Sequence, residues 1–174
     1  MSRKTLLPLL GIALVLGVAV GCAHGAQGEA GTTPAKVERV VDGDTLRLES
    51  GERVRLLQID APEAGEECYA TRATAELVRL VPRGRRITLE TDPVSDVRDR
   101  YGRLLRYVHF RGTNVNVELV RRGAATPYFY DGQRGKYARR LLAAMAEARR
   151  ARRGMWGRCL VVWRPESPVT TRPR

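Results

Sequence analysis

The chain has 174 residues, 31 of them basic and 19 acidic, with a formal net charge of +12 at pH 7. This length allows one compact domain with a hydrophobic core and terminal extensions. The positive excess favours a polyanionic partner, although charge alone leaves a solubilising role equally open. The 2 histidines, His24 and His109, argue against a histidine-rich metal site and exclude a Ser-His-Asp mechanism unless His109 is suitably placed.

Residues 1–22 have the pattern of a signal peptide, with a positive start, an apolar run and small residues at its end. The sequence Ala-Val-Gly-Cys that ends at Cys22 resembles a bacterial lipoprotein box, which predicts a lipid anchor at Cys22 as the only membrane contact. The alternative is cleavage after Ala23 or Gly25, which would release a soluble protein. Both interpretations predict export, to the cell envelope or beyond it. Residues 23–35 are predicted to be a flexible linker.

The following segment alternates apolar and polar residues with the period of β-strands. Turn signals separate the first three predicted strands, and one helix lies between the third and the fourth. The predicted strands are 37–41, 45–49, 53–59, 87–90 and 104–110, and the predicted helices are about 68–81, 114–122 and 135–153. This order predicts an α+β fold, a five-stranded OB-fold β-barrel with three α-helices, over residues 36–160. Residues 161–174 are polar and proline-rich, which predicts a disordered tail.

The third predicted strand contains a geometric conflict. Strict alternation places Arg55 and Asp60 on opposite faces of the strand. A single site that uses both requires a bulge or turn between Gln58 and Asp60, and we predict such a break.

Cys68 and Cys159 form an even pair once Cys22 is lipidated or removed. In an oxidising compartment such a pair favours a disulfide. Two buried free thiols are the alternative.

Acidic residues cluster around the first and third strands. Asp42, Asp44, Asp60 and Glu63 lie close in sequence to Arg55. Carboxylates this close repel one another unless a cation lies among them, and a hard divalent cation, which takes oxygen ligands, is the natural candidate. An arginine beside the ion provides a planar donor pair for phosphate oxygens. The cluster therefore predicts metal-assisted attack on phosphate, although Asp42-Gly43-Asp44 taken alone is more often a plain hairpin turn.

Four motifs, in one order along the chain, resemble those of the staphylococcal nuclease (thermonuclease) family. The resemblance covers roughly residues 36–157, nearly the whole predicted domain. The motifs are Asp-Gly-Asp-Thr at 42–45, Arg-Leu-Leu-x-x-Asp-x-Pro-Glu at 55–63, Asp-Arg-Tyr-Gly-Arg at 99–103 and Leu-Val-Arg-Arg-Gly at 119–123.

The resemblance implies a calcium-dependent, sugar-nonspecific nuclease that cleaves the 5′ P–O bond of DNA and RNA and leaves 3′-phosphates. Asp44 and Asp60 match the carboxylates that hold calcium. Ala61 falls where the family has a threonine whose backbone carbonyl binds the ion, and a carbonyl survives the change. Asp42 matches an acidic residue near the metal that is not itself expected to be a ligand.

The remaining matched positions concern the substrate. Glu63 matches the catalytic glutamate, and Arg55 and Arg103 match the arginines that hold the scissile phosphate. Tyr128 and Tyr130 resemble two tyrosines that line the nucleotide pocket, although the intervening loop is one residue shorter here. The sequence leaves open whether Glu63 accepts a proton or only orients the water. We expect a monomeric enzyme acting on DNA and RNA, preferably single-stranded or unpaired.

Two other interpretations belong to different functional classes. A non-catalytic nucleic-acid-binding module of the same family would lack one or more of Asp44, Arg55, Asp60, Glu63 and Arg103, and this chain has all of them. An envelope lipoprotein whose barrel binds a protein or a glycan would bind its ligand without any dependence on nucleic acid.

Overall fold

The computed structural model describes residues 31–65 and 67–174. The predicted signal peptide, Cys22 and the linker up to residue 30 lie outside the described residues. Among the residues that are described, no helix is both long and apolar enough to cross a membrane.

The five predicted strands and three predicted helices occur in the predicted order, and the structure adds short strands, a fourth helix and two C-terminal strands. The strands are β1 (Thr32–Val40), β2 (Thr45–Leu48), β3 (Arg53–Leu56), β4 (Ile59–Asp60), β5 (Arg86–Glu90), β6 (Leu104–Phe110), β7 (Thr113–Asn114), β8 (Thr126–Pro127), β9 (Cys159–Arg164) and β10 (Ser167–Pro173). The helices are α1 (Ala70–Leu80), α2 (Val115–Arg121), α3 (Ala138–Arg150) and the short α4 (Met155–Arg158).

Five of the strands close into a barrel. β1 pairs antiparallel with β2 and β5, β2 with β3, and β5 with β6. The parallel pairing of β3 with β6, in which Arg55 lies opposite Leu105, closes the ring. The predicted OB-fold barrel with three helices is therefore confirmed. β1 begins at Thr32, inside the segment predicted to be linker.

The barrel interior and the helices share one hydrophobic core. Leu46, Val54 and Leu56 are fully buried inside the barrel, and Leu77 of α1 and Leu141 of α3 are fully buried against it. Burial of these apolar faces is what holds short helices in place, since helices of this length are marginal alone.

The predicted break in the third strand is present at Gln58. β3 ends at Leu56, and Gln58 has a left-handed backbone with φ of 58° before β4 begins. The side chain of Gln58 is buried and accepts a hydrogen bond from the Tyr107 hydroxyl at 2.9 Å. These contacts stabilise a conformation that a non-glycine residue rarely adopts. The break turns Asp60 toward the side of the barrel that carries Arg55.

The C-terminal segment differs from its prediction. The sequence predicts a disordered tail over 161–174, but β9 and β10 form an antiparallel hairpin there. Val169 and Thr171 of β10 are buried, whereas their neighbours in the strand are exposed. The prediction was wrong for two reasons. The segment is mostly polar, so its two inward-facing residues give only a weak strand pattern, and the hairpin depends on tertiary contacts. One contact is a disulfide between Cys68 and Cys159, whose Cα atoms lie 6.1 Å apart.

Candidate active site

A cleft of about 510 Å³ opens on one side of the barrel. Its walls come from the β1–β2 turn, the segment that follows β3, the loop before β6 and the segment that follows β8. Nine residues singled out in the sequence line it together: Asp42, Asp44, Arg55, Asp60, Ala61, Glu63, Arg103, Tyr128 and Tyr130. Cys68 and Cys159 do not line the cleft.

Arg55 lies at the centre of the cleft floor. One of its terminal nitrogens, Nη2, lies 3.0 Å from Asp44 Oδ2 and 2.8 Å from Asp60 Oδ1. The other, Nη1, donates to the backbone carbonyl oxygens of Leu56 at 2.9 Å and Ile59 at 2.7 Å. The broken strand therefore wraps around the guanidinium, which fixes the charge beside both carboxylates.

Asp44 is buried in the turn between β1 and β2. Its Oδ2 accepts a hydrogen bond from the Ala61 amide at 2.9 Å, and its Oδ1 accepts one from the Thr45 hydroxyl at 3.1 Å. The Asp42 carboxylate in turn accepts a hydrogen bond from the Asp44 amide at 3.1 Å. Asp42 thus helps to shape the turn that presents Asp44.

Asp60 follows the break at Gln58 and is also buried. Its Oδ1 faces Arg55, and its Oδ2 accepts a hydrogen bond from the backbone amide of Val169 at 2.8 Å. The C-terminal hairpin therefore contributes directly to the site. Sequence reasoning missed Val169 because a backbone amide carries no side-chain signal.

Burial dominates the electrostatics of the two aspartates. Desolvation raises the pKa of Asp44 from 3.8 to about 7 even though Arg55 lowers it, and Asp42 and Asp60 raise it further. Desolvation likewise raises the pKa of Asp60 against the opposing effect of Arg55. A single arginine thus does not compensate the negative charge of this pair of buried carboxylates.

Glu63 lies at the exposed edge of the cleft, after Pro62 ends the strand. Partial desolvation raises the pKa of its carboxyl group, and the charges of Asp60 and Asp42 raise it further. A raised pKa makes Glu63 a better proton acceptor at neutral pH than an ordinary glutamate. Its backbone amide donates to Glu67 Oε2 at 2.9 Å, which fixes the start of the following loop.

Arg103 forms the opposite wall, at the start of β6. The Asp99 carboxylate accepts hydrogen bonds from the Arg103 backbone amide at 2.9 Å and from Nε at 2.6 Å. The Nε contact leaves the terminal nitrogens of the guanidinium available to a ligand in the cleft. Asp99 therefore orients Arg103. Asp99 is the first residue of the motif at 99–103, but the sequence analysis predicted no role for it.

Aromatic side chains line both sides of the cleft. Tyr128 is half-buried and Tyr130 is 63% exposed, on the segment that follows β8. Tyr101, which the sequence analysis did not single out, is 58% exposed on the other side. The guanidinium carbons of Arg100 and Arg103 lie 4.8 and 5.3 Å from its ring centre. Exposed rings of this kind offer flat surfaces to nucleobases.

The residues of this cleft fit a hard cation in donor chemistry and charge. No preassembled group of three or more His, Cys, Asp or Glu ligands occurs in residues 31–65 and 67–174. The carboxylates of Asp44 and Asp60 nevertheless lie on either side of one guanidinium nitrogen, so two negative charges face one positive charge and a cation would offset the excess. Calcium prefers such oxygen donors, with backbone carbonyls and water completing the shell.

The barrel and the cleft together define a class, that of OB-fold proteins whose charged cleft is suited to a cation and a bound anion side by side. Comparison with known proteins identifies the family within that class. The family described as "Staphylococcal nuclease homologue" matches residues 53–158. The chain belongs to the staphylococcal nuclease family.

Individual relatives support the same assignment. The thermonuclease of Staphylococcus intermedius is 32% identical over 130 residues, which are 70% of this chain and 75% of that protein. The micrococcal nuclease of Shigella flexneri is 35% identical over 138 residues, 70% of this chain and 72% of that protein. Endonuclease YhcR of Bacillus subtilis is 32% identical over 136 residues, 69% of this chain but only 11% of that much longer protein.

Proposed function

We propose that this protein is a calcium-dependent, sugar-nonspecific nuclease that hydrolyses phosphodiester bonds of DNA and RNA and releases 3′-phosphate products. The observation that carries the proposal is the arrangement of Arg55 between Asp44 and Asp60, in a cleft that Glu63 and Arg103 also line. The relatives named as nucleases and endonucleases support the reaction class.

Asp44, Asp60 and the Ala61 carbonyl would hold the calcium ion. When bound, the ion would supply positive charge to a phosphate oxygen and to an attacking water molecule. We propose calcium on the donor chemistry of these residues and on the resemblance to the family.

The other side chains of the cleft would have separate roles in catalysis. Arg55 and Arg103 would bind the phosphoryl oxygens, on which negative charge grows as water attacks phosphorus. Glu63 would accept the proton of that water or orient it, and its raised pKa favours proton transfer. The bond from phosphorus to the 5′-oxygen breaks, and the leaving oxygen takes a proton from solvent. Neither arginine is a suitable acid, because a guanidinium pKa lies above about 12.

The remaining features of the cleft support a substrate with accessible bases. Tyr101, Tyr128 and Tyr130 offer ring faces, and stacking on them is insensitive to sequence and to the sugar. Such contacts require unstacked bases, so we propose single-stranded or unpaired nucleic acid as the preferred substrate. The disulfide between Cys68 and Cys159 supports the further proposal that the protein is exported.

Cleavage of a labelled single-stranded DNA and its RNA counterpart tests the function. The wild-type domain should cleave both with calcium and neither with a chelator, and end-group analysis should find 3′-phosphates. Glu63→Gln should lower kcat by roughly 10²- to 10⁴-fold, the usual contribution of general acid–base catalysis. Glu49→Gln is the matched control, because the Glu49 side chain lies outside the cleft and, among the described residues, forms an ion pair with the half-exposed Lys36. Absence of calcium-dependent cleavage by the wild-type protein would overturn the proposal, and retained binding would then favour a non-catalytic module.

A further inference from the structure

The β9–β10 hairpin reaches the proposed metal ligands directly. The Val169 amide donates to Asp60 Oδ2 at 2.8 Å, and Val169 itself is only 4% exposed. Arg55 engages the other carboxylate oxygen of Asp60. The orientation of the Asp60 carboxylate is thus set by two donors, and one of them belongs to the hairpin.

A second connection runs through Glu67. Its Oε1 accepts a hydrogen bond from the Thr171 amide at 2.9 Å, and its Oε2 accepts one from the Glu63 amide at 2.9 Å. The Thr171 hydroxyl also donates to the Cys68 carbonyl oxygen at 2.6 Å. One carboxylate therefore joins β10 to the backbone of the proposed catalytic glutamate.

The turn end of the same hairpin supports the opposite wall of the cleft. The Pro165 carbonyl oxygen accepts a hydrogen bond from the Phe129 amide at 2.7 Å. The Trp163 indole donates to the Pro127 carbonyl oxygen at 2.7 Å. These two contacts flank Tyr128, so the hairpin braces the segment that carries the proposed base-stacking tyrosines.

The hairpin has little support of its own. Within the described part of the chain, β9 and β10 pair only with each other, and Leu160 and Val162 on the outer face are more than half exposed. Isolated two-stranded hairpins are marginally stable in water. A small core of Met155, Cys159 and Val169, together with the bond from Cys159 to Cys68, attaches the hairpin to the start of α1.

We propose that the β9–β10 hairpin is a positioning element of the active site, with Glu67 as its link to Glu63 and the disulfide as its clamp. The inference rests on the proposed nuclease function, because it assigns a role in holding residues of that site. A dithiol such as dithiothreitol would transfer two hydrogen atoms to the disulfide, giving two cysteine thiols and the cyclic disulfide of the reagent. Release of the hairpin then removes the Val169 donor from Asp60 and the Thr171 donor from Glu67.

Glu67→Gln tests the link between the hairpin and Glu63. The amide has one acceptor oxygen in place of two, so one of the two backbone donors loses its partner. We expect kcat to fall about 10-fold while KM stays unchanged, the lower end of the range for residues that orient ligands. Amide hydrogen exchange should accelerate at Glu63 and Thr171. Glu49→Gln again serves as the control, and unchanged kcat and exchange in Glu67→Gln would overturn the link.

A variant with both Cys68→Ser and Cys159→Ser tests the clamp, at a temperature well below its unfolding midpoint and with circular dichroism as the folding check. We expect calcium affinity, measured by calorimetry, to fall about 10- to 100-fold. Amide exchange should accelerate at Ala61 and Glu63 as well as in the hairpin. Wild-type protein treated with dithiothreitol should behave in the same way, and the reagent should change nothing further in the double variant.

The outcomes separate this inference from the proposed function. If hairpin amides lose protection while calcium affinity and protection at Ala61 and Glu63 remain unchanged, the positioning role is overturned although cleavage persists. If the wild-type protein shows no cleavage, the proposed function fails, but the exchange measurements still report whether the hairpin orders Asp60 and its loop. A double variant that fails to fold is replaced by Thr171→Pro, which removes the amide that donates to Glu67 and the hydroxyl that donates to the Cys68 carbonyl oxygen, and leaves the disulfide in place.

Discussion

Arg55 donates two hydrogen bonds to backbone carbonyl oxygens and lies within ion-pair distance of two aspartates that are themselves buried. The side chain is 13% exposed, so none of these charges is fully solvated. Loss of Arg55 would leave two buried carboxylates without a compensating charge, which is costly. The cluster therefore lowers the stability of the fold and, because its net charge is negative, attracts a cation.

Asp44→Asn should stabilise the calcium-free protein at alkaline pH. The pKa of Asp44 is about 7 in the folded state and 3.8 ordinarily, so between these values the folded chain holds a proton that the unfolded chain has lost. Stability therefore falls as pH rises through this window. Since asparagine carries no such charge, the variant should gain on the order of 4 kcal/mol at pH 8, and the gain should vanish near pH 4.

Urea unfolding across this pH range, with a chelator present, measures the difference. The same variant should lose calcium-dependent cleavage, because a proposed ligand is gone. A variant that is less stable than wild type at pH 8 would show that the ion pair with Arg55 outweighs the desolvation of Asp44.

Asp99→Asn should lower activity although residue 99 is not expected to contact the substrate. Although burial opposes it, the hydrogen bond from Arg103 lowers the pKa of Asp99, which shows that the pair favours the ionised state. Asparagine has nearly the same shape as aspartate but no charge, so its hydrogen bond with Arg103 Nε is weaker. The Arg103 guanidinium then loses its fixed orientation. We expect kcat/KM to fall roughly 10- to 100-fold, the effect of a small misplacement in a catalytic group.

Arg103→Gln provides the comparison, with an expected loss of about 10²- to 10³-fold in kcat. Steady-state cleavage of a single-stranded oligonucleotide measures both variants, and thermal unfolding confirms that they fold. Losses that add fully in the variant with both changes would show that Asp99 does not act through Arg103.

At the scale of elements, the site exists where three segments meet. The β1–β2 turn brings Gly43 against Ala61, which follows β4, and against Ala73 of α1. A Cβ atom at Gly43 would lie 2.6 Å from the Cβ of Ala61 and 3.1 Å from that of Ala73. Real Cβ atoms essentially never approach as closely as the 2.6 Å to Ala61, and the 3.1 Å to Ala73 is tighter than most real contacts, so this packing depends on residue 43 having no side chain.

Gly43→Ala should therefore reduce both stability and activity. Overpacking a tight junction costs typically about 1–3 kcal/mol, and displacement of Ala61 would move the carbonyl proposed to bind calcium. Gly51→Ala is the control, because no atom lies within 4 Å of its added Cβ and only its φ of +87° is strained. It should lose stability while keeping calcium affinity. Unfolding midpoints and calorimetry compare the two, and unchanged calcium affinity in Gly43→Ala would refute the coupling.

The elements themselves were largely predictable from sequence. Period-two alternation identified the barrel strands, and the apolar stripes of α1 and α3 identified those helices within a few residues of their ends. These patterns are local, because each strand or helix must present one apolar face to the core. The hairpin escaped prediction, since its inward face consists of Val169 and Thr171 within a polar segment and becomes favourable only when docked.

For the whole molecule, the net charge of +12 governs encounters with a polyanion. Exposed arginines cover the outer face of α3, away from the cleft residues; they include Arg139, Arg140, Arg149 and Arg150. Arg149 also lies over the Trp156 ring, with its guanidinium carbon 5.1 Å from the ring centre. This distribution favours a long-range attraction in addition to contacts in the cleft.

Substrate affinity should consequently depend on salt. For a few phosphate contacts, raising salt from about 50 to about 200 mM should increase KM roughly 10-fold, because bound counterions are released from the nucleic acid. We expect kcat to change little, since the buried contacts of Arg55 are poorly screened. Initial-rate measurements over this range provide the check. A KM that does not vary with salt would mean that stacking on the tyrosines, and not phosphate contact, sets affinity.

The sequence by itself determined the residue types of the site and the order of the barrel elements. Asp44, Arg55, Asp60, Glu63 and Arg103 could be named because their spacing and motifs are local properties of the chain. Only the tertiary structure decided how they meet. The hydrogen bond between Gln58 and Tyr107, the closure of β3 on β6 and the docking of the hairpin on Asp60 join segments far apart in sequence. Such contacts form when burial outweighs the entropy of bringing distant segments together, and no local pattern records that balance.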